Sequence, residues 1–391
     1  MKNTVAAMEF GTSKLVALVA ETSGRQRCDI VGAGTVVYDG YMDGRWNAPE
    51  LLNDAIAEAV HAAEDQSHIH VREIYVGVPG SFSQVRTVEV KVELQGADPR
   101  VTERDIIALL DKATDELGEV RGSVIHRSPA WFIVDDGKKT LEPVGMHGYE
   151  LRAMVSFVIA DQFFLDDITE RFRSLGIQVT GCLSTPVGQV MLFVPDEERD
   201  RAAVLVDMGY LTTEVMTVEG DAITNLKTIP MGGGHIAADL AYGLEITLAS
   251  AEQIKRSYVY GLSAGQSTFE GTDKEGAGKT FTREQVEEVL EPRAEEICEA
   301  VRDAIKETGV KLGNWSPVYL TGGGLAINRG GRDFLAAKLE KPVRELPRKA
   351  VKLSSPAYSS ALGLLDLLID TAASAQAGSG VGGFFRSLFG G

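Results

Sequence analysis

The stretch that most constrains this chain runs from Ala203 to Val218. An apolar run, Ala203-Val204-Leu205-Val206, ends in Asp207; Gly209 permits a sharp reversal, Thr212 and Thr213 follow, and a β-branched run leads away to Val218. That is the pattern of two buried strands joined by a tight turn whose tip faces something polar. Val5 to Val19 repeats the figure, with Glu9, Gly11, Thr12 and Ser13 between two apolar runs. Two similar hairpins so far apart predict two related domains facing one another.

The length supports that division, because 391 residues exceed what one hydrophobic core usually holds. Lys and Arg number 39 against 56 Asp and Glu, a net charge of −17, which argues against nucleic acid or a bare anionic membrane as an unspecific partner. Cys28, Cys182 and Cys298 are too far apart to suggest a disulfide framework or a ligand cluster, and a reduced cytosol fits them. Residues 1–20 lack a basic start ahead of an apolar core, so no signal peptide is expected. No run reaches the roughly 18 apolar residues that span a bilayer. The expectation is a soluble protein, or one attached to a surface.

Strand and helix patterns alternate through the first part: a strand over Asp29 to Tyr38, a helix over Pro49 to Ala63 and a strand over Val71 to Val78. This reads as α/β. We divide the chain into a first domain (1–80 and 161–186) interrupted by a small α+β insert (81–160), and a second domain (187–355) containing a sub-module (232–316). A returning helix (356–370), a Gly/Ala/Ser linker (371–383) and a terminal tip (384–391) follow. The insert's helix starts with a capping pattern, Thr102-Glu103-Arg104-Asp105. Gly261 to Gly278 reads as a surface loop, and Pro292 predicts a kink in the helix Arg283 to Lys306.

A nucleotide held between two domains needs amides and hydroxyls around its phosphates, acids that hold Mg²⁺ through water, and glycines where backbone passes close. Gly11, Thr12, Ser13 and Lys14 supply this from one side, and Asp207, Gly209, Thr212 and Thr213 from the other, with Glu9 and Asp207 placed for the metal. Gly232, Gly233 and Gly234 open a helix and are a third candidate phosphate contact. Gly322, Gly323 and Gly324 end a further strand.

This order of motifs resembles the actin-like (ASKHA) ATPase fold, and more specifically the FtsA family of bacterial cell-division proteins, over nearly the whole chain. Glu9-Phe10-Gly11-Thr12-Ser13-Lys14 is similar to that family's first phosphate loop and Val206 to Glu214 to its second. Ile74 to Gly80 and Pro143 to Leu151 resemble the borders of its characteristic insert, subdomain 1C. Ala251 to Lys255 and Val289 to Ile297 resemble its subdomain 2B, and Leu320 to Gly324 its adenosine loop. The resemblance implies a polymer-forming adaptor that binds ATP and Mg²⁺, holds FtsZ filaments at the cytoplasmic membrane of the division site and recruits other divisome proteins. It implies Glu252 and Lys255 near ribose and adenine, and Arg283 and Arg293 near the FtsZ tail.

The family usually has aspartate where this chain has Glu9, and glycines where it has Tyr210 and Leu211; Glu214 repeats the lengthened acid. Added β-carbons where backbone meets phosphate predict strain, weakened nucleotide binding and little or no hydrolysis, with no catalytic residue assigned. At the other end, Val381, Phe384, Phe385, Leu388 and Phe389 share one side of a helix, which predicts a membrane-targeting tip. A linker of about 11 residues spans some 17 to 20 Å, so the tip's target lies close to the body. Four buried apolar residues at about 1.5 to 3 kcal/mol each give reversible anchoring that several copies in a filament would strengthen. The alternatives are an actin-fold pilus or secretion assembly protein and an actin-fold small-molecule phosphotransferase.

Overall fold

The structure, a computed structural model, describes residues 3–22, 28–261, 267–310, 312–313, 316–347 and 353–377. In the first domain β1 (Asn3–Phe10), β2 (Lys14–Thr22) and β3 (Cys28–Val37) form an antiparallel meander. A small hairpin, β4 (Tyr41–Met42) and β5 (Arg45–Trp46), leads to α1 (Leu52–Ser67), which buries Leu52, Ala55, Ile56, Ala59, Val60 and Ala63 at helical spacing. Then β6 (Glu73–Val78) adds parallel to β1.

The insert follows as β7 (Ser83–Glu93), α2 (Glu103–Leu117), β8 (Ser123–Val134) and β9 (Glu150–Ala160), an antiparallel sheet in the order β7-β9-β8. Its α2 packs Ile106, Leu109, Leu110 and Ala113 against Phe132, Val155 and Phe157, a core of its own. The capping pattern read at Thr102 is present: its hydroxyl accepts from the Asp105 amide, and the Asp105 carboxylate accepts from the Thr102 amide. The Ser156 hydroxyl donates to Ile223 O of the second domain at 2.5 Å, which ties the insert to both halves. The first domain closes with α3 (Gln162–Ser174) and β10 (Gln178–Ser184), the latter parallel to β6.

The second domain runs α4 (Thr185–Phe193), α5 (Asp196–Arg199), β11 (Ala203–Met208), β12 (Thr213–Glu219), β13 (Ala222–Ile229), α6 (Gly233–Gly243) and α7 (Leu248–Ser257). It continues with β14 (Thr268–Thr272), β15 (Gly278–Thr282), α8 (Arg283–Glu307), β16 (Val318–Thr321), α9 (Gly331–Leu339), β17 (Val343–Glu345) and α10 (Ser359–Ala377). Its sheet, β13-β12-β11-β16-β17, repeats the order β3-β2-β1-β6-β10 of the first: three antiparallel strands, then two parallel ones. The two hairpins evident in the sequence are the matching first pair of strands in each sheet.

Between the sheets, α4 and α10 bury Val187, Val190, Leu364 and Leu368 with Leu205 and Met216. They cross so closely that a β-carbon on Gly188 would sit 2.4 Å from Gly363 O. The sequence pattern marks only a domain crossing near Pro186 and does not disclose α4, α9 or β17. The stretch expected as a loop, 261–278, contains β14, and α8 continues through Pro292 as one helix. The linker expected from Thr371 is helical through Ala377, because Ala372, Ala373, Ala375 and Ala377 supply the residue with the highest helix propensity. The remaining linker and the tip, Phe384 to Phe389, lie outside the described residues.

Candidate functional site

The two hairpin tips face each other across a cleft of about 730 Å³. Gly11, Thr12, Ser13 and Lys14 line it from the first domain; Asp207, Gly209, Tyr210, Leu211 and Thr212 line it from the second. Each tip is closed by its own turn, with the Gly11 amide donating to Lys14 O at 3.0 Å and the Gly209 amide to Thr212 O at 2.9 Å. The tips also touch, for the Leu211 amide donates to Thr12 Oγ1 at 3.0 Å. Glu252, Gly322 and Gly323 border the same cleft, as do Arg256 and Gln189, which the sequence did not single out.

Six expected residues stand behind the cleft wall. Thr213 is fully buried and its hydroxyl donates to Met231 O at 2.7 Å, so it does not face the cleft as expected. The amides of Gly233 and Gly234 donate to Gly209 O and Tyr210 O at 2.9 and 2.6 Å, and the Gly232 amide donates to His235 Nδ1 at 3.1 Å. The start of α6 is therefore saturated by protein acceptors, which leaves no free amides for the third phosphate contact. Gly324 likewise donates to Met208 O. Lys255 is 1 % exposed, with its ammonium on Gly233 O at 2.9 Å and Glu252 at 2.6 Å. The glycines of these turns serve contacts between one loop and another.

The expected strain at Tyr210 and Leu211 is absent, since neither has a positive φ. The hairpin bends through a turn that L-residues adopt freely.

Carboxylates dominate the floor. Burial pushes Glu9 up to about 7 against the pull of Lys14, and pushes Glu214 up to about 8, with Asp207 adding to it. Asp207 is raised by burial, opposed by a hydrogen bond from Gln189, whose Nε2 donates to Asp207 Oδ2 at 2.5 Å. Glu214 reaches across to accept from the Gly80 and Ser81 amides at the entry of the insert. Lys14 is lowered by burial and donates to Ala357 O at 2.7 Å, 3.9 Å above the Tyr358 ring.

The donor set suits a hydrated cation: two acids on opposite hairpins, with Gln189 Oε1 and Thr185 Oγ1 buried beside them and lacking partners. Among the described residues no cluster of three or more His, Cys, Asp or Glu is placed to hold a metal directly. The phosphate end of a nucleotide fits the hydroxyls and Lys14. At the other side of the cleft the Tyr210 ring stands at the start of α6, where a β-carbon on Gly234 would lie 2.8 to 2.9 Å from its carbons, and 5.3 Å from the Lys255 ammonium of α7, so a nucleoside turned that way would meet the ring.

Both arginines assigned to a partner are engaged inside the protein. Arg293 Nε donates to Asp239 at 2.6 Å and its Nη1 to Glu296. Arg283 donates to Val259 O at 2.8 Å, stacks on Tyr258 and pairs with Glu287. The surface beside them is acidic, lined by Glu284, Glu287, Glu288, Glu291 and Glu295.

Comparison with known proteins settles the family. A family model described as "Cell division protein FtsA" matches residues 204–363, and one described as "SHS2 domain inserted in FTSA" matches residues 80–159. Together they cover more than half of the chain, and the second falls on the insert itself. This chain belongs to the FtsA family. FtsA of Pseudomonas aeruginosa is 25% identical over 370 residues, covering 92% of this chain and 88% of that protein. FtsA of Escherichia coli K12 is 23% identical over 384 residues, covering 93% and 90%. Among solved structures, a PilM–PilN type IV pilus biogenesis complex matches with a TM-score of 0.61 at 18% identity, covering 93% of this chain and 98% of the other. MreB5 of Spiroplasma citri bound to ADP matches with a TM-score of 0.53 at 12% identity, covering 96% and 99%. These show the actin-like fold that an FtsA chain carries. No helix among the described residues is long and apolar enough to cross a membrane.

Proposed function

We propose that this FtsA-family chain is a self-assembling adaptor that tethers FtsZ filaments to the cytoplasmic membrane at the division site and gathers other division proteins there. The observation that carries the reading is the FtsA-specific insert, matched at residues 80–159 and seated between the two halves of an actin-like fold. Sugar kinases and chaperone ATPases share glycine turns of this kind without that insert. The amphipathic pattern of Phe384, Phe385, Leu388 and Phe389 supports membrane attachment, and the acidic face of α8 is complementary to a basic segment of a partner. ATP with Mg²⁺ is the proposed ligand of the cleft, with weak hydrolysis at most.

The test is co-sedimentation of FtsZ filaments with anionic liposomes in the presence of the full chain and of a chain lacking residues 384–391. The expected result is recruitment of FtsZ by the full chain alone. Equal recruitment by both removes the tip as the anchor, and no recruitment by either removes the adaptor reading.

A further inference from the structure

The Tyr210 side chain lines the cleft and packs on the start of α6. One face of its ring lies against Gly234, at contacts that exclude any β-carbon there. Beside it the Lys255 ammonium stands 5.3 Å from the ring centroid, fixed by Gly233 O and Glu252. The Tyr210 carbonyl accepts the Gly234 amide, so main chain and side chain both close the start of α6. Tyr210 still lines the cleft together with Ser13 and Lys14 and with Leu248, Glu252 and Arg256 of α7, and the amide next in the chain, that of Leu211, bonds to Thr12 on the opposite tip.

A nucleotide bound as proposed, with its phosphates at the hairpin tips and its nucleoside toward α7, would lay its sugar past this point. We propose that Tyr210 is a built-in occupant of the sugar position, a specificity residue that keeps nucleotides out until its ring swings away, while leaving the phosphate end open to small anions. The proposal rests on the nucleotide reading of the cleft. Its physical basis is a population effect: apparent affinity is reduced by the fraction of molecules whose ring is out of the way. The ring's contacts are with a glycine, a buried lysine and the cleft edge, and none requires left-handed backbone, so the seated state is relaxed. Substituting a small residue removes the obstacle without removing any group that a phosphate would touch.

The experiment is calorimetric titration of the full chain and of Tyr210→Ser, Tyr210→Gly and Tyr210→Phe with ATP, ADP and inorganic pyrophosphate in Mg²⁺, with circular dichroism as a check on folding. Tyr210→Ser and Tyr210→Gly are expected to bind ATP and ADP at least tenfold more tightly than the unaltered chain, with pyrophosphate affinity changed less than threefold. Tyr210→Phe, which keeps the ring and the fold, is expected to behave as the unaltered chain. Equal, measurable nucleotide affinity in all four overturns the gate and leaves the nucleotide site standing. An equal gain for pyrophosphate, or a gain in Tyr210→Phe, also overturns it. Absence of nucleotide binding in all four overturns the nucleotide reading, and the gate with it.

Discussion

The two hairpins of this molecule have the same place in matching sheets and opposite surroundings. The tip of β1–β2 rests on one glycine of its own domain, Gly40, where a β-carbon would lie 2.4 Å from Thr12 O, and turns Ser13 and Lys14 to the cleft. The tip of β11–β12 is pressed into the third and fourth glycine turns: β-carbons on Gly232 and Gly324 would lie 2.7 Å from Gly209 O, and one on Gly322 would lie 2.2 Å from Met208 O. A glycine in such a turn marks a close approach without saying what approaches. In the first hairpin the cleft side stays open; in the second, protein fills much of the room that a ligand would use.

The largest effect that tests this difference is expected at Gly322. Its φ is +91° and its missing β-carbon would also meet Asp207 Oδ1 at 2.4 Å, so Gly322→Ala adds backbone strain to a clash with main-chain atoms. Strain of this type costs about 1 to 3 kcal/mol, and the clash takes the total to roughly 3 kcal/mol or more. Gly11→Ala in the first hairpin brings a β-carbon within 2.9 Å of Lys14 O and into ordinary contact with the Glu9 carboxylate, and is expected to cost about 1 kcal/mol. Urea unfolding of both variants checks the order, and similar losses would show the two tips to be equally confined.

The acids give a second, pH-dependent contrast. Glu9 and Glu214 have folded values of about 7 and about 8, both above their ordinary 4.5. Between 4.5 and those values the folded chain binds more protons than the unfolded one, so each group makes stability fall as pH rises. The slope is about 1.4 kcal/mol per pH unit per group, as an order of magnitude. His126, lowered by burial to about 3, acts in the other direction up to its ordinary 6.5. It acts equally in every variant, so differences between variants cancel it. Glu214→Gln is expected to flatten the decline up to about pH 8, and Glu9→Gln only up to about pH 7. Melting curves at pH 5.5, 7 and 8 read this directly; a Glu214→Gln chain that loses stability with pH as steeply as the unaltered one would remove the buried proton from the second hairpin.

Much of this is legible in the sequence. The repeat of apolar run, acid, glycine and hydroxyl announces both hairpins and the doubled fold, because strand periodicity and turn chemistry are local. Thr102 and Asp105 announce the start of α2 for the same reason. What escapes is long-range: Gln189 and Thr185 sit in an apolar helix, α4, and reach the cleft only because Gly188 and Gly363 let α4 and α10 cross closely. Lys255 and Gly232–Gly234 match a binding pattern, yet their polar groups are consumed by neighbouring loops. Arg283 and Arg293 match partner contacts by position, and Asp239, Glu287 and Glu296, which hold them, are spread over two helices. Local pattern reveals which residues are special, and only packing reveals what they face.

The smallest effect concerns the hydrogen bond that joins the tips, from the Leu211 amide to Thr12 Oγ1. Valine at position 12 keeps the shape of threonine and removes the acceptor, leaving a part-buried amide unpaired. The loss is expected to be about 1 kcal/mol, with Thr12→Ser retaining most of the stability. Global unfolding alone does not distinguish this bond from general packing at Thr12, which is 6 % exposed. Amide hydrogen exchange does: Thr12→Val is expected to speed exchange at Leu211 roughly fivefold, the factor corresponding to 1 kcal/mol, while the Gly209 amide, bonded within its own turn to Thr212 O, keeps its rate. Unchanged protection at Leu211 would mean that the second hairpin is held by its glycine seats alone. Faster exchange at both amides would mean that the first hairpin braces the whole of the second, making the two tips one cooperative unit across the cleft.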